Sequence, residues 1–252
     1  MLPKVLREQT TIVAPKKEIF KLSAQYVSGV PEYIPQPDPD MKIGDKRAWI
    51  LEEFHRRGEE KIIMLDDDLR FATRISETDW HLREIKGEEL IPEFERIAER
   101  LSPETPHAGF GQRQGNNQLE EVGWKSPGKM CYALGYYLPV VIKECVFRRI
   151  ALREDMELAL QLLVKGYPNA VYHTTVVDQR GYDKPGGTSF ERTVEISNAE
   201  AHKLKELFPS YVSTVERAYK ASTPRVEVIV QWQKALEDGR RYRAQIEATA
   251  VS

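Results

Sequence analysis

In the stretch Lys61-Ile62-Ile63-Met64-Leu65-Asp66-Asp67-Asp68, four apolar residues run directly into three carboxylates. A buried strand accommodates the apolar run, but three adjacent anions need a cation to offset them. The pattern predicts a central strand whose C-terminal end delivers carboxylates into a cleft, where open α/β sheets place their ligands. In extended geometry Asp66 and Asp68 share a side and Asp67 points away. Two carboxylates together with diphosphate oxygens suit octahedral Mg²⁺ or Mn²⁺. The plainer alternative is an acidic turn, with Arg70 and Arg74 as local counter-charge.

The rest of the chain is read around that strand. Thr10-Thr11-Ile12-Val13-Ala14 is β-branched, stopped by Pro15 and followed by Lys16 and Lys17. Val30 to Asp40, rich in Pro and Asp, reads as loop. A helix from Asp45 to about Arg57 follows, with Ile50, Leu51 and Phe54 on its apolar side and Gly58 at its stop. The order β-α-β predicts that the first strand and Lys61–Leu65 pair in parallel. Further on, helices are expected over Glu88–Leu101 and Asp155–Lys165, and strands over Ala170–Val177 and Arg225–Trp232. His107 to Gln118 reads as a polar glycine-bearing loop, Cys131 to Val146 as strand-like patches and Asp178 to Thr188 as another glycine-rich loop. Ser197-x-x-Glu200 matches a capping box for a helix reaching Phe208, and the charged run Glu237–Arg243 is expected to be exposed.

Bulk properties narrow the partners. Over 252 residues the formal net charge is −2, which argues against a protein that coats nucleic acid indiscriminately but leaves room for a local basic groove. Lys125, Lys129, Lys143, Arg148, Arg149 and Arg153, interleaved with Tyr132, Tyr136 and Tyr137, form either such a face or an ordinary surface with tyrosines turned inward. The two cysteines, Cys131 and Cys145, lack metal-ligand spacing and fit reduced thiols. The N-terminus has no apolar signal region and no run is long enough to span a bilayer, so a cytoplasmic protein with no membrane partner is expected.

Three further groups carry candidate chemistry. Glu154-Asp155 opens the Asp155–Lys165 helix, where acids also serve as plain helix-end stabilisers. His173, inside a strand, is either a third metal ligand or a packed core histidine. The donors and acceptors of Gly109 to Asn117 suit base edges and phosphates, with ordinary surface loop as the alternative.

In sequence order, Pro15-Lys16, Leu65-Asp66-Asp67-Asp68-Leu69, His107-Ala108-Gly109-Phe110, Glu154-Asp155-Met156-Glu157-Leu158 and Lys165-Gly166-Tyr167-Pro168-Asn169 resemble the GT-A glycosyltransferases. Among these, the strings His107–Asn117, Arg153–His173 and Gly186–Arg192 look most like the TET-associated glycosyltransferases of bacteriophages, to which the addition of sugars to hydroxymethylated pyrimidines in DNA is ascribed. The resemblance spans Thr10 to Trp232. It implies an α/β fold, a GT-A-like (nucleotide-diphospho-sugar transferase) Rossmann-type mixed sheet flanked by helices, forming one catalytic domain over 1–252 with 190–252 as a C-terminal extension of helix and strand.

The same resemblance implies roles. Asp66 and Asp68 would hold Mn²⁺ or Mg²⁺, with His173 completing the shell. Pro15, Lys16, Asp66 and Asp67 would contact the nucleotide-sugar donor, UDP-glucose. Asp155 would be the general base, supported by Glu154. Arg113, Gln114, Asn116 and Asn117 would contact the acceptor, 5-hydroxymethylcytosine in phage DNA, inside an infected bacterial host. Which two of the three aspartates hold the metal stays open, as do stereochemistry and oligomeric state. The rival readings are a GT-A enzyme acting on a glycan, lipid or protein, a haloacid-dehalogenase-type phosphohydrolase (which Arg70 fits poorly) and a non-catalytic DNA-binding or phage structural protein.

Overall fold

The structure, a computed structural model, describes residues 2–19, 32–76, 79–113, 123–179, 193–218 and 224–251. Its centre is a mixed seven-stranded sheet with helices on both faces. The main path runs β3 (Lys61–Leu65), β8 (Ala133–Tyr137), β6 (His107–Gln112), β9 (Asn169–Gln179), β4 (Leu69–Ser76) and β5 (Asp79–Ile85), with β7 (Trp124–Lys125) pairing β9 off that path. Within this sheet, among the described residues, β6 and β9 pair in parallel and the other neighbours antiparallel.

Two expectations about the first strands are corrected. Strand β1 (Thr11–Ala14) pairs in parallel with β2 (Glu32–Pro35) in a separate two-stranded sheet. The segment read as loop therefore contains a strand, because Tyr33 and Ile34 between the prolines favour extended backbone. Strand β3 pairs antiparallel with β8 and lies at the edge of the sheet rather than its centre. Lys61 suits that edge: its ammonium donates to Ala98 O at 2.9 Å.

The true centre is β6, expected to be loop. Its small residues let strands crowd together: a Cβ on Gly109 would lie 2.6 Å from Ala133 O. On one face Phe71, Phe94 and Phe110 meet edge to face, with centroids 5.2–5.4 Å apart, under helix α3 (Ile91–Arg100). On the other face lie α2 (Ile43–Arg56), α4 (Leu138–Glu144) and α5 (Glu154–Leu163), contributing Leu51, Val141, Leu158 and Leu162. Helix α4 replaces the strand-like reading beyond Tyr137, and Pro139 sits in its first turn where a missing N–H costs nothing. A short helix α1 (Lys4–Glu8) precedes β1.

Residues 193–251 form α6 (Val194–Leu207), the hairpin β10 (Val212–Arg217) and β11 (Arg225–Val230), and α7 (Trp232–Val251). The late strand thus ends at Val230, and the charged run Glu237–Arg243 lies within α7. The capping-box reading is also corrected. Thr193 caps α6, accepting from Ile196 N–H at 3.2 Å, whereas Glu200 accepts from Ala151 N–H at 2.6 Å. Leu204, Phe208, Val212, Ala235 and Leu236 pack on Met156, Leu160 and Leu163 of α5. At Gly239 the α7 backbone touches the end of α5, where a methyl group would run into Leu163 O.

Candidate active site

Asp66, Asp67 and Asp68 form the turn between β3 and β4, with Asp66 and Asp68 half-buried and Asp67 exposed at its tip. The Asp66 N–H donates to Tyr132 O at 3.0 Å, and Tyr132 adopts a left-handed φ of 72°. Glu154 and Asp155, both half-buried, occupy the first turn of α5 after Arg153, which is itself left-handed at φ 73°. Asp155 Oδ1 accepts from Met156 N–H at 2.7 Å.

Arg47 joins these two acidic motifs. Its Nη2 donates to Asp66 Oδ1 at 2.8 Å and its Nη1 to Glu154 Oε1 at 2.6 Å. Its side chain is 13% exposed. Burial opposes the guanidinium's charge, but Glu154, Asp66 and Asp155 outweigh it and hold the pKa above its ordinary value. The placement follows from α2, whose residues Gly44, Arg47, Ala48 and Leu51 fall on one face at helical spacing. Gly44 presses against the chain before α5, where a Cβ would lie 2.9 Å from Ile150 O. Arg47, one turn on, therefore meets the start of α5. A charged residue on an otherwise apolar stripe is the signal that sequence reasoning missed.

Asp68 is in a different state. Its Oδ1 is buried without a hydrogen-bond partner among the described residues, while Gln179 bonds the side chain. Burial first, then the neighbouring Asp67 and Asp66, raise its pKa above the usual carboxylate range despite that bond. A buried, unpartnered carboxylate oxygen calls for a cation, and an all-oxygen set is what Mg²⁺ or Mn²⁺ prefers. Asp68 Oδ1 is thus the point of the turn suited to a hard cation.

His173 is not gathered with the aspartates: among the described residues no group of three or more His, Cys, Asp or Glu is placed to hold a metal. It lies where β9 bulges against β6, its N–H donating to Gly123 O at 2.8 Å. Burial, with Lys125 and Arg74 nearby, lowers its pKa to about 4.

Pro15 and Lys16 follow the C-terminal end of β1, side by side with that of β2: Gln36 N–H donates to Ala14 O at 3.0 Å. Gln36 was not singled out from sequence. Its Nε2 donates to Asp38 O and Pro39 O at 2.8 and 3.0 Å, which fixes the amide and leaves a buried Oε1 with no partner among the described residues. Arg113, partly exposed, lies 4.0 Å from Asp178. Gln114, Asn116, Asn117 and the string Gly186–Arg192 lie outside the described residues.

Two arginines and one tyrosine of the basic stretch are engaged within the fold. Arg148 pairs with Glu52 at 2.5 Å and Arg149 with the buried Glu157 at 2.6 Å. Tyr136 is buried against His107. Cys131 and Cys145 are both buried and free, and burial raises both thiol pKa values, that of Cys145 to about 12.

A model of the family described as TET-Associated Glycosyltransferase matches residues 7–187. The chain belongs to this family. The matched span takes in the aspartate turn, Arg47 and the whole of α5. The mixed sheet flanked by helices accords with a glycosyltransferase-like fold. No curated protein and no solved structure matches the chain. Among the described residues no helix is long and apolar enough to cross a membrane.

Proposed function

We propose that this glycosyltransferase moves glucose from UDP-glucose to the hydroxymethyl group of 5-hydroxymethylcytosine in phage DNA, with a divalent metal at the aspartate turn. One observation carries the reading: Arg47 brackets Asp66 and Glu154, bringing a cation-seeking acidic turn to the helix end that presents Asp155.

Asp68 and Asp66 would hold the metal, which when bound supplies Lewis-acid neutralisation of the charge building on the departing diphosphate. Pro15 and Lys16 lie at the parallel strand ends where a nucleotide base and phosphates fit, and Gln36 offers a buried acceptor beside them for a base N–H. Asp155 takes the proton of the attacking hydroxyl as its oxygen bonds the anomeric carbon and the bond to diphosphate breaks. Glu154, held by Arg47, keeps the first turn of α5 in place. Arg113 stands at the end of β6 and begins the segment assigned to the acceptor. A base inside a duplex would have to leave the stack to reach Asp155.

Incubation with 5-hydroxymethylcytosine DNA, Mn²⁺ and a panel of nucleotide sugars, followed by nucleoside mass analysis, tests the proposal. A hexose added to 5-hydroxymethylcytosine and absent from plain DNA is expected. Transfer to glycan, lipid or protein acceptors alone would overturn the acceptor assignment.

A further inference from the structure

Arg47 is more than a surface ion pair. Its two partners come from separate parts of the chain, one at the end of an edge strand and one at the start of a buried helix. All three side chains are largely covered, at 13%, 21% and 16% exposure for Arg47, Asp66 and Glu154. The guanidinium fork gives each carboxylate its own nitrogen, so the separation of the two acids is set by a rigid planar group. Arg47 is itself held by the close approach of α2 to the Ile150–Ala151 backbone at Gly44. On the other side Glu200 fixes the same Ala151 and Leu152 N–H groups at 2.6 and 3.2 Å. Asp155 is within electrostatic reach of the guanidinium, but the two Nη atoms go to Asp66 and Glu154, and the Asp155 carboxylate, with Oδ1 on Met156 N–H, keeps acceptor capacity.

We propose that Arg47 is a positioning residue: by gripping Asp66 with one terminal nitrogen and Glu154 with the other, it sets the span between the donor end of the cleft and the turn that presents Asp155. This role rests on the sugar-transfer reading above. Its consequence is specific. Loosening the fork misplaces base against donor, which lowers turnover, while donor binding, which Asp66 shares with Asp68, Pro15 and Lys16, largely persists. Lysine keeps the charge but has one ammonium on a flexible stem and cannot hold two carboxylates in a fixed fork.

The test compares Arg47→Lys, Glu154→Gln and the double variant in full-length protein, reading melting temperature, donor KM and kcat. Arg47→Lys is expected to stay folded, to keep donor KM within about threefold, and to lose about 10- to 100-fold in kcat. Glu154→Gln should cost about tenfold in kcat in the wild-type background and under about threefold when Lys stands at 47, because the interaction it removes is already lost. A purely structural role would instead lower the melting temperature and spare kcat per folded molecule. Wild-type kcat in Arg47→Lys, or fully additive losses, overturns the proposal and leaves the sugar-transfer reading intact. No transfer by the wild-type protein from any nucleotide sugar overturns that reading, and this role with it. If Arg47→Lys does not fold, Glu154→Gln alone decides: a kcat loss at unchanged KM supports the proposal, and an unchanged kcat overturns it.

Discussion

His107 lies flat against Tyr136, ring centroids 4.7 Å apart and planes 8° from parallel, in the middle of the sheet. Its Nδ1 is 3.0 Å from Gly135 O, so the neutral ring donates there. Burial lowers its pKa to about 4, from an ordinary 6.5. Below pH 6.5 the unfolded chain takes up a proton that the folded chain refuses. The stabilisation is therefore complete above pH 6.5 and is lost as pH falls towards 4, by up to roughly 3 kcal/mol. His173, also lowered to about 4, acts in the same direction. Denaturant unfolding across pH 7 to 4 is expected to show this decline, and a His107→Gln variant a shallower one.

Asp155→Asn should remove transfer by about 10²- to 10⁴-fold, the usual reach of a general base. Its Oδ1 accepts from the adjacent Met156 N–H, as an amide oxygen also would, so the melting temperature should hardly change. Undiminished transfer would remove the base assignment.

Asp68→Asn tests the acidic turn without reference to activity. It replaces a buried, unpartnered anionic oxygen by a neutral one. Without metal the variant should melt at or above the wild-type temperature, in keeping with strain stored at a working site. With Mn²⁺ the wild-type protein should be stabilised by ligand binding and the variant should not. Equal Mn²⁺ stabilisation of both would rule Asp68 out as a ligand.

Gly44→Ala puts a methyl group 2.9 Å from Ile150 O, and the Ile150–Ala151 backbone must give way. A cost of about 1–3 kcal/mol is expected from overpacking. Because the shift occurs one turn from Arg47, kcat should fall as well in the fraction that stays folded. Calorimetry and initial rates on the same sample measure both.

Glu200→Ala removes the carboxylate that accepts from Ala151 and Leu152 N–H. Leaving two partly buried donors unpaired should cost about 1–3 kcal/mol. Glu200→Gln, which restores one acceptor, should recover part of it in a urea titration.

Much of this was legible in the sequence because the signals were local. The α5 helix and strand β9 announce themselves by periodicity, and the Asp66–Asp68 turn by its charge. What escaped was set by distant partners. Gly109 and Phe110 look like loop until β8 is seen to crowd against them. Lys61–Leu65 reads as a central strand because apolar content does not reveal which edge is covered. Arg47 was hidden because its two partners lie far along the chain, although a cation on the stripe of Gly44, Ala48 and Leu51 already required an anion.

Every residue of α5 from Met156 to Leu163 is buried, which requires cover on two sides. The sheet supplies one and residues 193–251 the other, through Leu204, Phe208, Val212 and Leu236. A chain shortened to residues 7–187 would turn Met156, Leu160 and Leu163 out to water and carry a sticky apolar stripe. Sedimentation should find it more self-associated than the full chain. The C-terminal segment thus shields the helix that bears Asp155, covering an apolar surface that residues 7–187 alone would offer to their neighbours.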